Sequence, residues 1–182
     1  MACTLTQGRR EPCKDVVGGL NAVYFVDFGN LGTVTETDDE ITDVSGTFNA
    51  YRYFLKGNSS FEQTITSSRE NGTTFFEGTL NLTLKKLRKE DHKELKLLSF
   101  ARPHVVVEDY NGNAFLMGLE HGCDVSGGTI VTGGAMGDMS GYTLTLSAQE
   151  LKPANFISSP TSANPFAGCS SATVTVTDGT DF

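Results

Sequence analysis

Apolar and polar residues alternate with a period of two along much of this chain, the mark of strands that bury one face and wet the other. In TTFFEGTLNLTL (73–84), Phe76, Leu80, Leu82 and Leu84 share one face, and Glu77, Thr79, Asn81 and Thr83 share the other. Further strand segments are LNAVYFVDF (20–28), TFNAYRYFLK (47–56), SFEQTITS (60–67), HVVVEDY (104–110), AFLMGLE (114–120), CDVSGGTIVTGG (123–134) and GYTLTLSAQE (141–150). Gly57 predicts a hairpin turn between 47–56 and 60–67, and Asn111-Gly112 predicts another between 104–110 and 114–120. The 73–84 strand exceeds the usual ~5–6 residues, so the hairpin 60–84 is expected to project beyond the body.

A single helix signal interrupts the strands. In KEDHKELKLLSFARP, Asp91 and Glu94 have capping-box spacing, Leu95 and Leu98 share a face, and Pro103 disfavours helical geometry at Arg102. Many strands in meander order around one helix predict a mainly β protein. Its form is an antiparallel β-sandwich or a curled, barrel-like sheet with one short flanking α-helix.

The length of 182 residues suits one domain. The expected division is a flexible arm over 1–18, a body over 19–150 and a C-terminal extension over 151–182, where only ATVTVT (172–177) forms strand.

The net charge of -8 and sequence pI near 4.8 oppose a surface built to grip phosphates. No run approaches the roughly 20 apolar residues of a membrane span, and MACTLTQGRREPCKD lacks the apolar centre of a signal peptide. The expectation is therefore no membrane partner and folding in the cytoplasm. Cys3, Cys13, Cys123 and Cys169 form no C-x-x-C pair and are expected to be free thiols.

Candidate chemistry is sparse. The glycine-rich segment 127–141 lacks the Lys and following Ser/Thr of a phosphate loop, and His92, His104 and His121 lack metal-ligand spacing. No Ser or Cys lies in a nucleophile motif, and Asp38 and Asp39 read as a solvated loop rather than an acid–base pair. The sequence predicts no enzyme, no catalytic residue, no metal and no cofactor. TETDDEITD (35–43) concentrates acids, while Lys85, Lys86, Arg88, Lys89, Lys93 and Lys96 concentrate bases interleaved with Glu90, Asp91 and Glu94. The basic stretch reads either as an ordinary solvated helix face or as a docking surface complementary to the acidic loop, as head-to-tail contacts use.

The run 110–156 resembles the tail tube proteins of tailed bacteriophages. The resembling features are the Asn111-Gly112 hairpin, Gly137-Asp138 in the glycine loop, the strand Gly141-Tyr142-Thr143-Leu144-Thr145-Leu146, and Pro153-Ala154. The resemblance implies a tail-tube-like virion subunit that self-assembles into stacked hexameric rings. The subunits would fold in the host cytoplasm, meet other phage tail proteins in the virion tail, and let DNA pass without specific binding. In such a tube Glu62, Thr64, Glu77, Thr79, Asn81 and Thr83 are expected to face the lumen, where acid repels phosphate. Phe76, Leu80 and Leu82 are expected against neighbouring subunits. Glu36, Asp38, Asp39 and Glu40 of one ring are expected to meet Lys85, Lys86, Arg88 and Lys89 of the next. The competing readings are another ring-forming virion protein of the head–tail connection and a monomeric β-sandwich binding or adhesin module, which would need exposed aromatic platforms and export.

Overall fold

The period-two segments form strands, as a computed structural model of the chain shows for residues 7–11 and 13–179. In chain order they are β1 (Leu20–Val26), β2 (Val34–Thr37), β3 (Glu40–Val44), β4 (Thr47–Phe54), β5 (Ser60–Ser68) and β6 (Thr73–Lys85). Then come α1 (Lys89–Leu98), β7 (His104–Asp109), β8 (Ala114–Met117), β9 (Asp124–Val131), β10 (Gly141–Glu150), β11 (Asn155–Ile157) and β12 (Thr173–Asp178). The larger sheet runs β12-β4-β1-β7-β8-β11-β3-β2 and the smaller runs β5-β6-β10-β9. The protein is mainly β, with two sheets and one short helix.

β1 reads as a continuous apolar run because the large sheet has a core on each face. Val23 and Phe25, with Val105, Val107 and Met117, meet Leu80, Leu82, Leu146 and Ala148 of the small sheet. Ala22, Tyr24 and Val26 point the other way, into a second core with Ile41, Val44, Phe48, Ile157 and Phe166.

Curling of the large sheet encloses that second core. β3 and β4 are joined only through Ser45 and Gly46, a link that spans roughly 11 Å at most. Five strand spacings separate them in sheet order, which would be about 24 Å if the sheet were flat. The sheet must therefore bend back on itself. At the closing point the Gly46 N–H donates to the Leu31 carbonyl at 2.9 Å, and a Cβ on Gly46 would strike the carbonyl oxygen of Asn30.

Among the described residues one acid is buried, at the heart of the large sheet. Glu108, 7% exposed, accepts hydrogen bonds from the Tyr24 hydroxyl and from Asn21 Nδ2, both at 2.8 Å. Burial and the Glu108 partner push the Tyr24 phenol up to about 12.

Several expectations need correction. β4 and β5 do not pair; Gly57 (φ 75°) and Asn58 (φ 50°) carry the chain from one sheet to the other. Pairing is not wholly antiparallel, since β11 runs parallel to β3 and β12 parallel to β4. The segment after residue 150 is no appendage to the body: β11 and β12 belong to the large sheet, and Phe166 and Cys169 lie in its core. The helix starts at Lys89 with Arg88 as N-cap and no side-chain cap, so the Asp91–Glu94 box is unused. The hairpin of β7 and β8 forms as expected, with Val106 opposite Leu116. Of the arm, residues 1–6 and 12 lie outside the described residues, and the rest has no regular structure.

Candidate functional site

The small sheet presents the most distinctive surface. Its inner face is apolar and seals the core, so alternation forces the other face to be polar. Glu62 pairs with Thr79 and Thr64 with Glu77 across β5 and β6, and Asn81 and Thr83 continue the same face toward the end of β6. All six residues of the expected lumen set therefore share one surface. β10 extends it with Thr143, Thr145, Ser147 and Gln149 opposite Thr83, Asn81, Thr79 and Glu77. Thr145 Oγ1 donates to Asn81 Oδ1 at 2.9 Å, and the hydroxyls of Thr129 and Thr143 lie 2.6 Å apart.

Among the described residues both edges of this sheet are open. β5 and β9 each pair on one side only, leaving a row of backbone donors and acceptors. Each edge also carries an exposed isoleucine on the core-facing side. Ile65 lies opposite Phe76 and is 65% exposed, and Ile130 lies opposite Tyr142 and is 58% exposed.

The expected interface leucines are not on this surface. Leu80 and Leu82 are 0% and 1% exposed within the chain's own core, which corrects their assignment to a neighbour contact. Phe76 is half-buried, and with Phe61, Met117, Pro153 and Asn155 it lines a cavity of about 20 Å³ between the sheets. Projection of the hairpin is confined to its tip. β10 pairs with β6 only as far as Phe76, so Thr73, Thr74 and Phe75 are supported by β5 alone.

The acidic segment is a tight hairpin at the rim of the large sheet. β2 and β3 meet through Asp38 (φ 52°) and Asp39 (φ 62°), the left-handed pair that a two-residue turn of this kind requires. Asp38, Asp39 and Glu40 are exposed, whereas Glu36 is bound by Lys152 of its own chain, Nζ to Oε2 2.6 Å. Asp43 ties down the chain before β12: Ser171 donates to it through its backbone N–H at 3.0 Å and its hydroxyl at 2.5 Å, which lowers the carboxyl pKa.

On the basic side, Lys85 ends β6, Lys86 takes φ 71° and donates its N–H to the Ser140 carbonyl at 2.6 Å, and the Arg88 carbonyl accepts from the Tyr142 hydroxyl at 3.0 Å. Lys89 opens α1.

The histidines fall in separate settings. Buried His104 lies between the Gly118 carbonyl, 2.7 Å from Nδ1, and the Gly29 N–H, which donates to Nε2 at 3.1 Å. His92 is exposed beside Tyr142. His121 gathers with Glu120 and Glu150, 29 residues apart in sequence, a cluster with no sequence signal. Glu150 is already engaged there, accepting the N–H groups of Glu120 and His121 at 3.1 and 2.9 Å and lying 3.0 Å from His121 Nδ1. That use is a loop clasp. The glycine loop is similarly ordered by Asp138, whose Oδ2 accepts the N–H groups of Gly134 and Ala135 and whose pKa falls as a result.

Among the described cysteines, Cys13 is exposed, Cys123 and Cys169 are buried, and all three are free; Cys3 lies outside the described residues. No described helix is long and apolar enough to cross a membrane. No family model matches the chain, no curated protein matches it, and no solved structure matches its fold.

Proposed function

We propose that this protein is a structural virion subunit whose small sheets join edge to edge into a closed ring, with rings stacking into a phage tail tube for DNA passage. The observation that carries the reading is the pair of open edges, each with an exposed isoleucine on its core-facing side. Within the sheet every neighbour is antiparallel, and β5 and β9 run in opposite directions. A rotation that brings β9 of one copy beside β5 of the next therefore continues the antiparallel order. Closing such a ring removes both edges of every small sheet and covers both isoleucines.

The polar face of β5, β6 and β10 would then surround the axis. It is rich in hydroxyls and amides and carries Glu62 and Glu77, a lining that hydrates a channel and repels phosphate. The apolar side stays in the subunit's own core. A ring order of six, the tail location and the absence of catalysis rest on the resemblance and on the sequence.

Negative-stain microscopy of the purified protein tests the reading. Annular particles or tubes are expected, and Ile65→Lys or Ile130→Lys should abolish them while leaving a folded monomer, because a charge at an edge opposes strand addition. Rings that persist in both variants would place the contact elsewhere.

A further inference from the structure

Beside the acidic hairpin lies an open groove of about 530 Å³ lined by Asp38, Asp39, Glu40, Phe156 and Pro160 among others. Phe156 is 50% exposed at its floor, with its ring 4.6 Å from that of Phe115. The described lining holds three acids and no Lys or Arg; the nearby cation, Lys152, is bound to Glu36. The groove thus joins an apolar floor to negative walls.

The complementary surface is on the same chain. α1 turns Leu95 and Leu98 toward the core, which leaves Lys93, Lys96 and Leu97 on its outer side, with Phe100 just beyond its end. Leu97 is 54% exposed and Phe100 80%, two large apolar groups beside two bases. Residues 85–96 hold six bases against three acids; the surplus comes from Lys85, Lys86 and Arg88 just before the helix, while within α1 Lys89, Lys93 and Lys96 balance Glu90, Asp91 and Glu94 in number.

We infer that the groove beside Phe156 receives the outer face of α1 from a second copy, with Phe100 on the aromatic floor and Lys93 and Lys96 against Asp38, Asp39 and Glu40. This rests on the self-association reading above and names the contact between rings. The two surfaces differ, so the contact is heterologous: each copy offers its helix one way and its groove the other, as stacking requires. It is also distinct from the β5 and β9 edges, which remain available for ring closure. The aromatic anchor supplies contact area, and the charges select register and orientation.

Site-directed cross-linking of the full chain tests the contact. In a background with Cys3→Ser and Cys13→Ser, Phe100→Cys is placed in one preparation and Phe156→Cys in another, and the two are mixed under a mild oxidant. A disulfide between positions 100 and 156 should dominate, and its yield should fall several-fold as salt rises from 0.01 to 1 M and the Debye length shrinks from ~30 to ~3 Å. Lys93→Glu with Lys96→Glu should suppress it, and Asp38→Lys with Asp39→Lys in the partner preparation should restore it. Absence of the 100–156 link, or a link indifferent to salt and charge reversal, overturns the inference. Microscopy of the same samples separates the two proposals. Rings without the link refute the docking and leave ring closure standing, whereas the link without rings supports the docking and refutes ring closure.

Discussion

Leu80 of β6 lies directly opposite Leu146 of β10, and both side chains are fully buried between the two sheets. The pair anchors the small sheet to the large one, so it carries subunit stability rather than assembly. Leu80→Ala should cost about 2–5 kcal/mol in urea unfolding. Leu80→Asp with Leu82→Asp should leave no cooperative transition, because two unpaired charges would enter the core. A folded double variant of native stability would contradict this placement.

Arg52 and Asp178 clamp the last strand. Their two hydrogen bonds, 2.5 and 2.6 Å, form a fork between β4 and β12, and Arg52 also donates to the Ser162 carbonyl at 2.6 Å. Asp178 is half-exposed, so the pair is expected to add only about 0–1 kcal/mol globally. Its effect should be local. Asp178→Asn should raise amide exchange across 173–178 with little change in the global unfolding midpoint; unchanged exchange there would show that the pairing with β4 and the packing of Val174 and Val176 hold β12 without the clamp.

His104 makes stability depend on pH. Burial lowers its pKa below the ordinary 6.5, and its Nε2 must stay unprotonated to accept the Gly29 N–H. The unfolded chain therefore binds the proton more readily. Stability is full above 6.5 and falls as pH drops below that value toward the folded pKa. Asp43, Asp109, Asp138 and Asp178, all held below 3.8, lose their contribution only at lower pH. Chemical denaturation between pH 7 and pH 5 should show the decline, and His104→Gln should flatten it. A slope unchanged in that variant would assign the dependence to another group.

The thiols should differ sharply in reactivity. Burial raises the pKa of both Cys123 and Cys169, whereas Cys13 is exposed. A thiol reagent should modify Cys13 in the native protein and reach Cys123 and Cys169 only on unfolding. Rapid native labelling of Cys123 would mean that the sheets part readily.

The strands were legible because period-two alternation is written directly into segments such as 73–84, and the Asn111-Gly112 turn has a strict backbone preference. Partnership between strands was not. Gly57 marks a turn equally well whether the chain folds back or crosses to another sheet, and only the packed cores decide. β11 is three residues long, too short for periodicity, and Phe166 stands alone in a polar stretch. Alternation shows that Leu80 and Leu82 share the apolar face and the candidate lumen residues the polar one, but it does not show whether the chain's own core or a neighbouring subunit covers the apolar face, and the large sheet covers it. The clusters of Glu150 with His121 and of Arg52 with Asp178 join residues 29 and 126 positions apart and leave no sequence trace.

Sedimentation velocity over a hundredfold range of protein concentration tests the central claim of edge-to-edge ring closure most directly. The account predicts a discrete closed oligomer that Ile65→Lys and Ile130→Lys each convert to a folded monomer. A single monomeric species throughout that range, from a chain with intact termini, would contradict it.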